Sequence, residues 1–297
     1  AYSMALMPTE PVVAATFNKE LIKREGELMG EDSLWSNVSL IQAPGLNLHR
    51  TPYCSRNHEY YSEDPVLTGF MGTAFSAGAE AKGLIAQVKH FAFNHQESNR
   101  AGLSTFFSEQ GGRENELRGF QIALKDNTAT SVMTAFNRIG TEFSGASKGL
   151  LEQILREEWD YEGFVYTDMV SSPDYMNWRD TIFNGGGCLL AQSIDVYENS
   201  KLGSPSASTK NIDIIEKDTK FQQAMQQTLK YYIHGLADSN AVNGVLANTK
   251  TVYVRTWWQN TLVGIDVGMG VLVLLSLALY VKAIAARKRK VGEHNEE

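Results

Sequence analysis

Short β-forming runs that stop on polar residues, helical stretches between them and one long apolar segment near the C-terminus together point to an α/β chain. They predict a (β/α) TIM-like barrel, incomplete at its N-terminus and followed by a single C-terminal transmembrane helix. No hairpin signals separate the runs, so crossover connections and a parallel sheet are expected. An open doubly wound sheet shows the same alternation. However, no GxGxxG or GxxxxGK[ST] turn follows any strand, which removes its commonest nucleotide-binding forms.

In chain order, Asn18 is a good N-cap for an amphipathic helix over residues 17–35, with Leu21, Ile22, Leu28 and Met29 on its apolar face. Residues 38–41 read as a short strand, and Asn47, His49 and Arg50 lie just past it. The small and apolar residues 65–82 suit a tightly packed helix. Residues 85–88 form the next strand, closing on Lys89 and His90. A helix over 114–124 precedes a strand over 131–135, which carries Met133 and ends at Phe136. Residues 150–159 form a helix with Leu151, Ile154 and Leu155 inward, and it delivers the chain to GFVYTD, residues 163–168. Phe164, Val165 and Tyr166 read as a strand buried on both faces that stops on Asp168. In a barrel of parallel strands the C-terminal rim holds the reacting groups, so Asp168 is the first candidate. Past Cys188 the pattern loosens. Residues 198–211 read as a surface loop, and 221–236 as a helix.

The predicted organisation is a partial barrel over 1–245, a linker over 246–260, a transmembrane helix over 261–284 and a basic tail over 285–297. Trp257, Trp258 and Tyr280 place amphipathic rings at both ends of the span, and Lys282, Arg287, Lys288, Arg289 and Lys290 follow it. By the positive-inside rule the C-terminus is cytoplasmic and the rest is extracytoplasmic in a single-pass cell-membrane protein. Membrane lipid is then one partner, and Gly264 with Gly268 offers a GxxxG face for a homodimer. The net charge of -7 argues against a nucleic-acid partner. Cys54 and Cys188 form no CxxC pair and support neither a disulfide framework nor a zinc site. Asn37, Val38 and Ser39 spell a glycosylation sequon, discounted because it falls on an expected buried strand.

Cations and imidazoles around one carboxylate suit a polyhydroxylated ligand. Lys89 beside Asp168 is expected to keep that carboxylate ionised. His90 and His95 lie five apart, which fits no helical ligand pair, and no metal is expected.

NLHRTPYCSRNHEYYSEDP (47–65), VKHFAFNHQESNR (88–100), SVMTAFN (131–137) and GFVYTD (163–168) resemble, in order and spacing, the barrel domain of glycoside hydrolase family 3, which includes β-glucosidases and β-xylosidases. The resemblance runs from Thr9 to Ala191. It implies Asp168 as the nucleophile, Arg56, Lys89 and His90 as donors to sugar hydroxyls, Met133 as the pocket floor, and no metal or organic cofactor. It also implies an acid/base group on a separate sandwich domain. The chain order, with DSNAVNG (238–244) resembling a barrel end, fits the branch carrying that domain first. The family's TDGP strand is missing before Thr9, so an N-terminally incomplete chain with little turnover of its own is expected.

Phe136 stands where many members place a Tyr, and Met169 replaces a frequent Trp. Glu59, Glu63 and Asp64 read as loop salt-bridge partners. Glu97 is the in-chain candidate for a substitute acid, with orientation of Lys89 as its other role. The function implied is a membrane-anchored retaining β-glycosidase, β-glucosidase-like, releasing terminal non-reducing β-D-glucosyl or xylosyl residues from a glycoside or small oligosaccharide. The alternative is a catalytically inactive, membrane-tethered sugar-binding or sensor protein.

Overall fold

The structure, a computed structural model, describes residues 6–100, 102–169, 175–190, 217–243 and 257–293. The chain divides into two units, Tyr2–Asn243 and Gly244–Glu297. The first holds helices α1 (Glu10–Ala14), α2 (Lys19–Ser36), α3 (Pro65–Glu80), α4 (Glu109–Gly111), α5 (Arg118–Leu124), α6 (Trp178–Phe183) and α7 (Thr219–Ala237). Its strands are β1 (Leu40–Ile41), β2 (Ile85–Phe91), β3 (Ser104–Thr105), β4 (Ser131–Thr134), β5 (Arg138–Ile139), β6 (Glu142–Phe143), β7 (Phe164–Met169) and β8 (Cys188–Leu190). The second unit contributes α8 (Trp257–Glu293).

Five strands make one all-parallel sheet in the order β1-β2-β4-β7-β8. It is a curled half-barrel rather than a closed one among the described residues, with β1 and β8 as its edges. Phe91 pairs with Thr134, and Thr134 pairs with Thr167, so the C-terminal ends of β2, β4 and β7 lie level. Strand β2 runs on to Phe91, which brings Lys89 and His90 inside the strand instead of past its end.

The expectation of no hairpin needs correction. Strands β5 and β6 pair antiparallel around Gly140 and Thr141, and Gly140 takes the positive φ of 57° that such a two-residue turn requires. Strand β3 adds in parallel to β5, completing a separate three-stranded sheet.

Asn18 caps α2 as the sequence indicates, accepting the Leu21 N–H at 3.1 Å. Asp64 caps α3 in the same way, with Pro65 at the first helical position. The inward face of α2 differs from the expected one. Leu21 and Leu28 are exposed, whereas Ile22, Gly26, Gly30 and Ser33 are buried. A Cβ on Gly26 would meet the Phe75 carbonyl oxygen at 2.1 Å, and one on Gly78 the Lys23 oxygen at 2.0 Å. The two helices therefore touch through backbone, which a search for apolar side chains does not detect. Asn37 ends α2 in a left-handed conformation and is exposed, so burial is no reason to discount its sequon. The helix expected over 114–124 is interrupted: a π-helical turn, Gly112–Glu116, separates α4 from α5. A second π-helical stretch, Gly149–Glu158, buries Leu151 and Leu155 as predicted.

Glu80 closes the lower end of the half-barrel. Its Oε1 accepts the N–H of Ala86 at 3.0 Å and of Thr130 at 2.9 Å, tying α3 to the approaches of β2 and β4. Burial raises its carboxyl above the ordinary value of 4.5, against the lowering effect of those two bonds. A raised acid contributes stability that is complete below the ordinary value and is lost as pH rises through the folded one. Glu80→Gln keeps the acceptor and removes the charge. Its thermal midpoint should exceed wild type at neutral pH, and the difference should vanish towards about pH 4. A melting series across pH checks this.

Helix α8 starts at Trp257, slightly before the expected boundary, and continues through the expected basic tail to Glu293. Trp257–Ala285 is long and apolar enough to cross a membrane, by length and composition, and none of it is buried. Among the described residues, a Cβ on Gly264 or Gly268 would meet nothing within 4 Å beyond the helix's own backbone. The predicted linker before Trp257 and the loop over 198–211 lie outside the described residues.

Candidate active site

Asp168 sits in the last turn of pleat of β7, mostly enclosed, with its side chain 13% exposed. The backbone N–H of Met169 donates to Oδ1 at 2.7 Å and fixes the carboxylate plane. Oδ2 has no hydrogen-bond partner; His90 Nε2 stands 3.6 Å from it and Arg100 Nη1 3.9 Å. One oxygen is held and the other is left available. Burial raises the Asp168 carboxyl, outweighing the Met169 N–H and the Arg100, Arg56 and Lys89 cations that lower it. Lys89 favours the ionised form, as expected, but burial outweighs it and Arg100 and Arg56 come before it among the cations that act on Asp168. Lys89 Nζ is instead ion-paired to Glu59 Oε2 at 2.9 Å.

Glu59 organises the cations. Arg56 donates to both its oxygens, and the 3₁₀ turn Asn57–Glu59 brings the two side chains together. Burial opposes the Glu59 charge, but the bonds from Arg56 and Lys89 prevail and pull its carboxyl down to about 2. Arg56 Nη2 also reaches His90 Nε2 at 2.9 Å. Burial, and then the Arg56, Lys89 and Arg100 cations, hold the His90 imidazole well below its ordinary range, so the ring is neutral. With Nε2 accepting from Arg56, the network assigns the proton to Nδ1, which faces Asn47 Oδ1 at 3.2 Å. Asn47 further brackets His90 by accepting its N–H at 2.8 Å and donating to its carbonyl at 3.0 Å. His90 Nε2 and Asp168 Oδ2 are thus two acceptors that face one another beside the Arg56 and Arg100 guanidiniums.

Arg100 is the site residue that sequence reasoning missed. Its guanidinium carbon lies 4.2 Å above the Phe136 ring centroid, and Glu97 Oε2 holds Nη1 at 2.9 Å. Glu97 also faces Arg56 Nη1 at 3.6 Å and accepts from Asn94 at 3.1 Å. It orients two arginines rather than Lys89, which is a second correction. The spacing of Glu97 and Arg100, with an aromatic residue, Phe136, just past β4, was the available signal.

Of the other candidates, Met133 is buried and pairs in register with Tyr166, two residues before Asp168. His49 donates to the Tyr60 carbonyl, while Arg50 and His95 both pair with Glu116, away from Asp168. Asp64 caps a helix and Glu63 is exposed. Among the described residues no group of three His, Cys, Asp or Glu side chains is placed to hold a metal.

The sequence profile of the glycosyl hydrolase family 3 N terminal domain matches residues 2–180. The chain belongs to glycoside hydrolase family 3. A family 3 relative, a β-glucosidase of Ruminococcus albus, is 40% identical over 162 residues, which are 54% of this chain and 17% of that one. The β-glucosidase 3B structure from Thermotoga neapolitana in complex with glucose aligns with a TM-score of 0.69 at 33% identity, covering 79% of this chain and 32% of that chain. A β-glucosidase structure from Paenibacillus barengoltzii aligns at 0.72 and 29% identity, over 83% and 27%. The chain therefore spans less than a third of the length of these family 3 relatives.

Proposed function

We propose that this chain carries the glycone pocket and the nucleophile of a retaining β-glucosidase-like hydrolase, tethered to a membrane by α8. The observation behind it is Asp168: Oδ1 pinned by a backbone donor, Oδ2 unpartnered, at the rim of a parallel half-barrel and ringed by Arg56, His90 and Arg100. In the first step Oδ2 attacks the anomeric carbon and the bond to the leaving oxygen breaks. In the second, water attacks the same carbon and frees the carboxylate, so configuration is retained. Arg56, Lys89 and His90 donate to or orient sugar hydroxyls, and Met133 floors the pocket. The acid/base group belongs to a further domain, consistent with Glu97 being occupied by two arginines. Glucosyl or xylosyl glycosides are the substrate class, the Thermotoga relative having been solved with glucose. The membrane-spanning α8, with the barrel outside and the C-terminus inside, also presents Gly264 and Gly268 for pairing with a second copy.

The test uses a dinitrophenyl β-glucoside, whose leaving group needs no acid. The 297-residue chain should release dinitrophenolate in a burst and carry a glycosyl adduct on the Asp168 peptide, and azide should convert that adduct to β-glucosyl azide. Glucose binding without burst or adduct would instead support the sugar-sensor reading, which the ring at Phe136 and the Met at position 169 favour. Neither binding nor adduct would remove both.

A further inference from the structure

Glu10 is not among the residues assigned to the pocket, yet it is built against them. Helix α1 packs on the Asn57–Glu59 turn. Glu10 Oε1 accepts the Gly45 N–H at 3.0 Å, and Gly45 bridges to Lys89 in the sheet. The same segment brackets the Lys89 peptide from both sides: Lys89 N–H donates to the Pro44 carbonyl at 3.1 Å, and Leu46 N–H donates to the Lys89 carbonyl at 2.6 Å. The second carboxyl oxygen, Oε2, is shut off from solvent without a hydrogen-bond partner. The residue as a whole is only partly buried, so its exposure belongs to the rest of the residue and the carboxyl end is the enclosed part.

Four titratable groups act on this carboxyl: Lys89 from β2, Glu59 from the turn, Glu25 from α2, and the buried Tyr61 phenol. Burial raises Glu10 well above the ordinary carboxylate range, more than the Gly45 N–H and Lys89 lower it. A protonated Glu10 leaves the Lys89 ammonium to Glu59 and to a ligand. An ionised Glu10 adds a second negative charge that acts through space on the same ammonium.

We propose that Glu10 is a positioning residue for Lys89: it pins the Pro44–Leu46 segment beside the Lys89 peptide and, when charged, competes with Glu59 for the ammonium. This rests on Lys89 serving the glycone pocket. Sugar affinity should then be highest with Glu10 neutral and should fall as pH rises through its folded titration. The sign follows from a raised acid, whose neutral form is the one the folded protein prefers.

The test measures glucose affinity of the full chain by calorimetry from about pH 5 to about pH 9, together with the nitrogen chemical shift of the Lys89 ammonium over the same range. Glu10→Gln keeps an acceptor for Gly45 without a charge. It should match wild type at the acidic end and stay flat where wild type weakens. Glu10→Ala loses the acceptor and should bind roughly tenfold more weakly throughout, the effect of one buried hydrogen bond. The step in the Lys89 nitrogen shift that accompanies weakening in wild type should be absent from both variants. If Glu10→Gln leaves both the affinity profile and that nitrogen-shift profile unchanged, the proposal is overturned, even where the melting temperature falls. If wild type binds no glucose at any pH, the pocket reading fails, and the nitrogen-shift profile alone then decides whether Glu10 acts on that ammonium.

Discussion

Asp168→Asn abolishes the glycosyl adduct and lowers dinitrophenolate release by about a thousandfold or more, the expected effect of removing a nucleophile whose step nothing else can perform. The variant should fold, because asparagine has the same shape and its oxygen still accepts the Met169 N–H that fixes the native carboxylate. In the wild-type chain the same chemistry sets a pH limit. Attack requires the ionised carboxylate, and burial raises that carboxyl above the ordinary Asp value of 3.8. Adduct formation therefore fails on the acid side at a pH higher than an exposed Asp would show. Burst amplitude against pH, followed by peptide mass mapping, measures both. An adduct on the Asp168 peptide persisting in the Asn variant would assign the nucleophile elsewhere.

The largest loss of stability is expected at Arg156, far from the chemistry. Its guanidinium donates to the carbonyls of Tyr161 at 2.5 Å, Gly163 at 2.7 Å and Gly185 at 3.3 Å, and lies 3.8 Å from the Tyr231 ring centroid. Among the described residues the charges acting on it come from the Tyr231 and Tyr161 phenols. It stitches the approach to β7, the approach to β8 and helix α7 into one piece. Arg156→Ala strands three carbonyls and empties the space over the ring. The expected cost is about 3 kcal/mol, or about 10 °C in thermal midpoint. Arg156→Lys, a point charge in place of a fork, should recover only part of it. A loss within about 0.5 kcal/mol would mean that water replaces the guanidinium at little cost.

The strands nearest the chemistry were legible in their cores because they are largely buried on both faces, and the runs at 85–88, 131–135 and 164–166 report that directly, although β2 extends to Phe91 and β7 to Met169. The rim position of Asp168 followed from where its run ends. Other features had no such signal. The packed face of α2 includes Gly26 and Gly30, whose burial comes from their close approach to α3 and the residues just after it. Which carboxylate Lys89 chooses is a question of tertiary placement, and Glu59 wins because its turn delivers it alongside Arg56. Arg100 sits in a loop without periodicity, and its partner ring, Phe136, is thirty-six positions away. A family pattern can name the residues of a pocket, but the order of charge pairing inside it has to be seen.

The small second sheet is connected to the candidate site through one loop. Leu103 accepts the Arg138 N–H at 2.7 Å, and Thr105 accepts the Gly140 N–H at 3.0 Å, so the loop bearing Glu97 and Arg100 is moored to the β5–β6 hairpin. Arg100 in turn stands 3.9 Å from Asp168. A surface turn is therefore joined, through backbone hydrogen bonds and a single loop, to the cation that stands beside the candidate carboxylate.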